Sequence, residues 1–353
     1  MQQVLVTIVH PERPRKLFRP SGRFQDLVDM LATSYSFGSA EELIYLDEDN
    51  EECLIDDEIS FQVALERSPL QGLTIYLRQK GAARRQPLNQ QVVLMTIPAK
   101  FNRAYIFSSA RLELRKVLSD YFVGSARVAL WGEAAIITGG MNQLRQVVEL
   151  ELGLMEARKL QPLLFGRFWH GIAAIDDHLF VSGGKDDEDR PPLSTCEQFD
   201  GERWIQLPGL NIPRDSHTMV GYLSSVYVFG GEDEENRALT SIEKMQGFRW
   251  INLTIRLPAP RTMPGIVFLG EEYVLMLGGM QGGEKANTFR LSMKSGDYEE
   301  LGKLPIAARF PSNPTACVGL VVYALDNSSI KVFALNIEAG EWREEEVVRP
   351  NLG

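Results

Sequence analysis

The sequence is poor in cysteine and histidine. Its 353 residues include 3 cysteines, Cys53, Cys196 and Cys317, and 4 histidines. Because the cysteines are odd in number and far apart, neither a disulfide framework nor a zinc site is predicted. This usage fits a reducing compartment, so a cytoplasmic location is expected.

Long apolar runs and excess positive charge are also missing. The longest apolar run, residues 316–325, spans ten residues, too few to cross a bilayer. The N-terminal run at 4–9 has six residues and no basic residue before it, so no signal peptide is predicted. The formal net charge is −10. Phosphate backbones and anionic membranes bind clustered cations, so neither nucleic acid nor membrane is an expected partner.

What the sequence has is a repeat. Four apolar strands each end in two glycines, and successive first glycines are 44, 47 and 48 residues apart. The pairs are 139–140, 183–184, 230–231 and 278–279. Glycine lets the backbone turn where a Cβ would collide.

Other residue types recur in step with the glycines. An arginine precedes each strand pair, at Arg127, Arg167, Arg214, Arg261 and Arg309, and an aromatic residue follows, at Trp204, Trp250, Tyr298 and Trp342. We expect most of the arginines to hold loops between repeats by bonding to carbonyls. Two further segments are predicted to be degenerate copies: 320–326, with Ala324 and Leu325 in place of glycines, and AYIFSSA, with Ser108 and Ser109.

Each repeat is predicted to contain four short strands, which is one blade of a closed ring. First strands are predicted near residues 91, 126, 169, 217, 263 and 315, giving six blades. On these markers, residues 91–353 resemble a kelch β-propeller. The resemblance implies an all-β ring whose loops bind other proteins. Both end blades lack the glycine pair. How the ring closes stays open, because kelch rings usually share the strands of one blade between the chain ends, whereas here each end could supply a whole blade.

Catalytic and metal-binding signatures are missing from the ring. The sequence has no HExxH and no GxSxG, so no enzyme and no cofactor is predicted. His170 and His217 each follow a repeat arginine by three residues, which favours packing over metal binding. Two acidic loops, 185–190 and 232–236, are expected on one face of the ring, either solvated or as a rim for a basic peptide.

The first eighty residues do not repeat, and 81–90 read as a linker. Strands are predicted near 4–9, 15–20, 42–49 and 73–79, and helices near 24–31 and 59–68. This order indicates a small α+β ubiquitin-like domain. The chain is therefore predicted to be multidomain, with that domain at 1–80 followed by the six-bladed kelch propeller at 91–353.

An acidic segment stands out in the N-terminal domain. Ten of the residues from 41 to 58 are Asp or Glu, and none is Lys or Arg. The segment resembles the acidic OPCA motif of the Phox-and-Bem (PB-one) domain family. That resemblance implies front-to-back docking with a basic partner domain. The residues that it assigns to docking are Asp47, Asp49, Glu51, Asp57 and Glu58.

These patterns predict a non-enzymatic adaptor or scaffold, in which the acidic face docks a basic PB-one-type surface and the propeller recruits a second protein. Self-association is a further possibility, because Arg15 and Lys16 could supply a basic side. The alternative is a carbohydrate-acting propeller enzyme such as a sugar epimerase. A deep central channel with converging arginine, histidine and carboxylate groups would favour the enzyme.

Overall fold

The structure is a computed structural model of the 353-residue chain. It divides into two compact units, residues 1–90 and 91–353. The residues described are 6–10, 13–18, 24–35, 41–46, 52–55, 61, 64, 73–79, 93–98, 103–132, 134–153, 155–175, 177–247, 249–281, 283 and 285–349. The predicted linker, 81–90, lies outside them.

The first unit contains one described helix and five strands. They are β1 (Val6–His10), β2 (Arg13–Phe18), α1 (Phe24–Tyr35), β3 (Glu41–Leu46), β4 (Glu52–Ile55) and β5 (Leu73–Gln79). The sheet order is β2-β1-β5-β3-β4, with β1 parallel to β5. Leu27 and Leu31 of α1 are buried, as the helical spacing predicts. The ubiquitin-like assignment of this unit stays a prediction.

The second unit is a ring of six blades, as the repeat predicts. Blade one has β6 (Val93–Thr96), β7 (Arg103–Ser108) and β8 (Glu113–Leu118). Blade two has β9 (Arg127–Trp131), β10 (Ala134–Thr138), β11 (Val147–Glu151) and β12 (Glu156–Lys159). Blade three has β13 (Gly171–Ile175), β14 (His178–Ser182), β15 (Cys196–Phe199) and β16 (Trp204–Leu207).

The remaining blades follow the same antiparallel order. Blade four has β17 (Thr218–Tyr222), β18 (Ser225–Phe229), β19 (Ser241–Gln246) and β20 (Arg249–Arg256). Blade five has β21 (Gly265–Leu269), β22 (Tyr273–Leu277), β23 (Thr288–Ser292) and β24 (Tyr298–Glu300). Blade six has β25 (Thr315–Val318), β26 (Val321–Leu325), β27 (Val332–Asn336) and β28 (Glu341–Glu344).

The second strand of a blade is apolar on both faces because it is covered on both sides. In β10, Ala135 and Ile137 pack with the core shared by blades one and two. Ala134 and Ile136 pack with the core shared by blades two and three. Neighbouring side chains on a strand point to opposite faces, so continuous apolar sequence is what a blade between two others requires.

The ring closes by packing blade six against blade one. Leu94, Phe107 and Leu114 of blade one share a core with Leu325 and Val332 of blade six. The chain then continues past β28. Val348 makes a parallel bridge to Glu113, donating to the Leu112 carbonyl at 2.7 Å and accepting from the Leu114 N–H at 2.9 Å.

Blade one differs from the predicted four-stranded unit. Its described strands number three, and β6 contacts β26, the second strand of blade six. The loop after β8 leads into blade two, as the loops after other fourth strands do. We therefore align β6 to β8 with the second, third and fourth strands elsewhere. Ser108 ends β7 and is not the counterpart of a glycine, so that part of the prediction is wrong.

The glycine counterparts in blade six are also shifted. Strand β26 continues through Leu325, and Asp326 follows it, its N–H donating to the Lys331 carbonyl at 2.9 Å. Gly278 makes the matching bond to Asn287 at 3.0 Å in blade five. The turn position is thus Asp326–Asn327 rather than Ala324–Leu325. The predicted pair was two residues early, since Asp326 follows Gly278 by 48 residues, the same spacing that separates Gly230 from Gly278.

Candidate functional site

The five predicted docking residues, Asp47, Asp49, Glu51, Asp57 and Glu58, lie outside the described residues. The described backbone on either side places β3 and β4 as antiparallel neighbours, with Leu46 opposite Glu52. Arg15 and Lys16 lie on β2, an edge strand of the same sheet. The docking assignment stays a prediction.

The repeat arginines of blades three and four have a common role. Arg167 is fully buried and donates through Nη1 to the carbonyl of Gly183 at 2.7 Å and of Thr195 at 3.0 Å. Arg214 donates in the same way to Gly230 at 2.8 Å. Both bind carbonyls of the glycine turn, which confirms the predicted loop-holding role for these two residues.

Each of these arginines also meets a buried carboxylate that the sequence reasoning missed. Arg167 Nη2 lies 2.7 Å from Glu197 Oε1, and Arg214 Nη2 lies 2.6 Å from Glu243 Oε1, with all four side chains fully buried. Burial lowers the pKa of both arginines, and the paired glutamate opposes that shift. The signal available was the repeat itself, since both glutamates lie in the third strand of a blade.

The carboxylates do more than neutralise charge. Glu197 accepts the N–H groups of Leu164 and Phe165 at 2.6 and 3.1 Å. Glu243 accepts those of Asn211 and Ile212 at 2.8 and 3.2 Å. Each pair therefore joins the loop entering a blade to that blade's own sheet. Such full hydrogen bonding is what makes a buried ion pair tolerable.

The other arginines depart from this pattern. Arg261 donates to Pro260 O at 2.8 Å and Gln281 Oε1 at 2.9 Å. The position matching Glu243 in blade five is Phe289, by its register with the second strand. Without a carboxylate there, burial lowers the pKa of Arg261 unopposed.

Arg127 is not a counterpart of the loop arginines, so its predicted alignment is wrong. It is the first residue of β9 and pairs with Thr138, as Gly171 of β13 pairs with Ser182. Its guanidinium reaches the ring axis, where Nε donates to the His170 carbonyl at 3.0 Å. Its Nη2 is buried without a described hydrogen-bond partner, and burial lowers its pKa to about 10.

The inner strands leave little space beside the Arg127 guanidinium. The space lined by Arg127, Gly171, His217, Thr218 and Ser312 has no room for a water molecule. Val128 donates its N–H to Ser312 Oγ at 3.2 Å, which ties blade two to blade six across the axis. The described residues thus form no open channel at this point.

His170 and His217 join neighbouring blades. His170 Nε2 lies 2.8 Å from Thr138 Oγ1, and His217 Nε2 lies 2.9 Å from Ser182 Oγ. Among the residues that the structure describes, no cluster of three or more His, Cys, Asp or Glu is arranged to hold a metal. The inter-blade bonds support the predicted packing role.

We expect these histidines to make folding sensitive to acid. Burial lowers the pKa of both well below the usual range, with nearby arginines adding to the effect. Both are neutral when folded but take up protons near pH 6.5 when unfolded. Their contribution to stability is therefore complete above pH 6.5 and falls below it, by up to about 1.4 kcal/mol per pH unit for each histidine.

The measurement is urea unfolding at pH 7.5, 6.5 and 5.5 for the natural chain and for H170Q/H217Q. The double variant is less stable at pH 7.5 but loses less stability on acidification. His178→Gln, at a partly exposed position, is the matched control. If His178→Gln reduced the loss of stability on acidification as much as H170Q/H217Q does, the buried histidines would not be the source of the acid sensitivity.

The two acidic loops follow the second strands of blades three and four, whose directions match, so both reach one face. Asp187, Glu188, Asp189, Glu234 and Glu235 are exposed there. Some of the acids in these loops are neutralised locally. The Arg190 Nη1 atom lies 3.3 Å from Asp186 Oδ2, and the Arg237 Nη2 atom lies 2.9 Å from Asp233 Oδ2.

The opposite face carries a groove between blades three and four. Its cavity volume is about 280 Å³, and its apolar walls are Ile175, Phe180, Leu207, Val226 and Met245. His178 and Gln198 add polar groups to the lining. Sequence reasoning missed this groove, since its walls come from six strands and two turns of two different blades.

Comparison with known proteins agrees with the ring. No family model matches the chain. The chain is 29% identical over 106 residues to "Kelch-like protein 9" of Mus musculus, covering 27% of this chain and 17% of that protein. It is 30% identical over 106 residues to "Kelch-like protein 13" of Mus musculus, covering 27% of this chain and 16% of that protein. Fold and sequence likeness together support a kelch propeller.

The chain thus spans about a sixth of the length of the curated relatives it matches. Within the propeller, the recurring residue types have structural roles: the glycines form the turns, Arg167 and Arg214 hold loops, and His170 and His217 join blades. None of the helices in the described ranges is long and apolar enough to cross a membrane.

Proposed function

We propose that the chain is a protein-interaction adaptor, with a docking N-terminal unit and a kelch propeller that recruits a second protein. The observation that carries this proposal is that the buried polar side chains of the ring are already hydrogen-bonded within the ring. Arg167, Arg214, His170 and His217 are all engaged in bonds between loops and blades. The surface loops and the groove are therefore the parts left to meet a ligand.

The packed axis favours binding over chemistry at the centre of the ring. A sugar-acting enzyme needs arginine, histidine and carboxylate groups that converge on an open space. Here Arg127 and His217 line a space too small for water. Protein recruitment needs only accessible loops, and the acidic loops of blades three and four offer exposed carboxylates to a basic segment.

The N-terminal acidic residues are proposed to dock a basic PB-one-type surface. Carboxylates gathered on one side of a domain pair well with guanidinium and ammonium groups, and such pairs set partner choice and orientation. A cytoplasmic location is part of this proposal. It is supported by the two described cysteines, Cys196 and Cys317, which are free thiols.

The test is affinity capture from native cells with three forms of the full chain: natural, D47R/D49R and E188R/D189R. We expect each double variant to lose a different captured protein while retaining the other, because the two acidic surfaces act independently. The variants control each other, since both reverse two acidic charges. An unchanged set of captured proteins with D47R/D49R would contradict docking through residues 47–58.

A further inference from the structure

The outer edge of blade one differs from those of the other blades. Strand β8 (Glu113–Leu118) is the last strand of its sheet, and Val348 is already added to it in parallel. That addition uses only the Leu112 carbonyl and the Leu114 N–H. Within the described part of the chain, no hydrogen bond continues this pairing along residues 115–118.

The backbone groups that have no partner among the described residues point outward in a regular series. Neighbouring residues of a strand direct their N–H and C=O groups to opposite sides, so Lys116 and Leu118 face the same way as Leu114. Val348 shows that a strand can be accommodated on this side.

Charge and exposure at this edge indicate the kind of strand that would fit. From residue 103 to 118 there are four cationic residues, Arg103, Arg111, Arg115 and Lys116, and one acidic residue, Glu113. This is a local positive excess in a chain whose net charge is −10. Leu118 is 69% exposed and Val348 is 62% exposed, so apolar surface lies beside the charge.

We propose that the β8 edge at residues 115–118 binds an extended, acidic segment of a partner protein by strand addition. Main-chain hydrogen bonds to Lys116 and Leu118 give the affinity. Alternate side chains of an added strand lie on opposite faces of the sheet, so acidic side chains on one face match Lys116 and apolar side chains on the other face match Val117. This surface belongs to blade one, whereas the acidic loops belong to blades three and four, so it goes beyond the proposed function.

The probe is a fluorescein-labelled octapeptide that alternates glutamate and valine, titrated against the full chain and followed by anisotropy. The comparison peptide alternates lysine and valine. We expect the glutamate peptide to bind at least tenfold more tightly, and more weakly as salt is raised. Hydrogen exchange of residues 113–118 should slow when it is bound. Equal binding of both peptides would overturn the proposal.

Lys116→Pro removes one outward N–H, and proline is tolerated on an edge strand where that group faces solvent. It should weaken binding of the glutamate peptide at least tenfold. Glu300→Pro on β24 is the matched control. The Leu301 N–H donates inward to Thr288, so the Glu300 N–H points outward. This control should bind the peptide like the natural chain.

Lys116→Glu keeps the backbone and reverses the charge, so it tests the edge if the proline variant does not fold. It should also weaken binding at least tenfold, and unaltered binding would overturn the proposal.

A chain that ends at Arg349 should bind the glutamate peptide as the natural chain does. Binding by the shortened chain alone would assign the edge to the chain's own C-terminus, and a change of oligomeric state with Lys116→Glu would assign it to a second copy. Either result would overturn the proposal that a segment of a partner protein binds this edge.

Discussion

Replacing Glu243 with glutamine is expected to lower the free energy of unfolding of the propeller by about 3–5 kcal/mol. The neutral amide leaves the Arg214 guanidinium buried without its counter-charge. It also offers a single acceptor where the carboxylate serves Arg214, the Asn211 N–H and side chain, and the Ile212 N–H. An unpaired buried charge costs far more than the net strength of the pair.

The measurement is urea unfolding followed by tryptophan fluorescence. All 5 tryptophans lie between residues 131 and 342, so the signal reports on the propeller alone. Arg203→Met is the control, because the Arg203–Asp200 pair is 3.6 Å apart and Arg203 is 78% exposed. An exposed pair of this kind contributes about 0–1 kcal/mol.

A double replacement of Arg214 and Glu243 by methionine should cost less than the sum of the two single replacements. Only the single variants leave one buried charge without its partner, and residues in direct contact do not act additively. A loss below about 1 kcal/mol for Glu243→Gln would show that the pair is dispensable for the ring.

The second large effect is expected from Gly183→Ala. Gly183 has a φ of +59°, and a Cβ there would lie 2.3 Å from the Arg214 carbonyl oxygen of the next blade. Real Cβ atoms do not approach a carbonyl so closely, so the turn or the neighbouring blade must move. The cost combines about 1–2 kcal/mol for the left-handed backbone with about 1–3 kcal/mol for overpacking.

Gly247→Ala separates the two contributions. Gly247 has the same φ of +59°, but a Cβ there meets nothing within 4 Å. Its cost is therefore expected to be the backbone contribution alone, about 1–2 kcal/mol. Equal losses of stability for the two variants, measured by the same fluorescence method, would refute the steric part of the argument.

The glycine turns were predictable because the requirement is local. The two residues that follow the second strand have positive φ, and glycine is the residue that most readily adopts that conformation. The spacing of the four glycine pairs then gave the repeat length. The apolar second strands were predictable for a similar reason, since a blade covered on both sides needs apolar residues at consecutive positions. These two signals predicted the ring, the blade count and the first strands of five blades.

Arg127 shows where the pattern misleads. It precedes a glycine pair like the other arginines, but a difference of four residues moves it from the loop into the inner strand. The sequence spacing alone favoured a common role, whereas strand register places its guanidinium at the axis. The partners Glu197 and Glu243 were missed because a buried carboxylate on a strand resembles an exposed one in sequence.

By itself the sequence determined the repeat, the strands of blades two to six and the four glycine turns, because these depend on side-chain alternation and on backbone angles of neighbouring residues. Only the tertiary structure decided which charges pair, which axis residues close the centre, how Val348 closes the ring and which edge of blade one remains open. Those features depend on contacts between residues that are far apart in the chain. Such contacts are set by how the blades pack around the axis, and no local pattern records them.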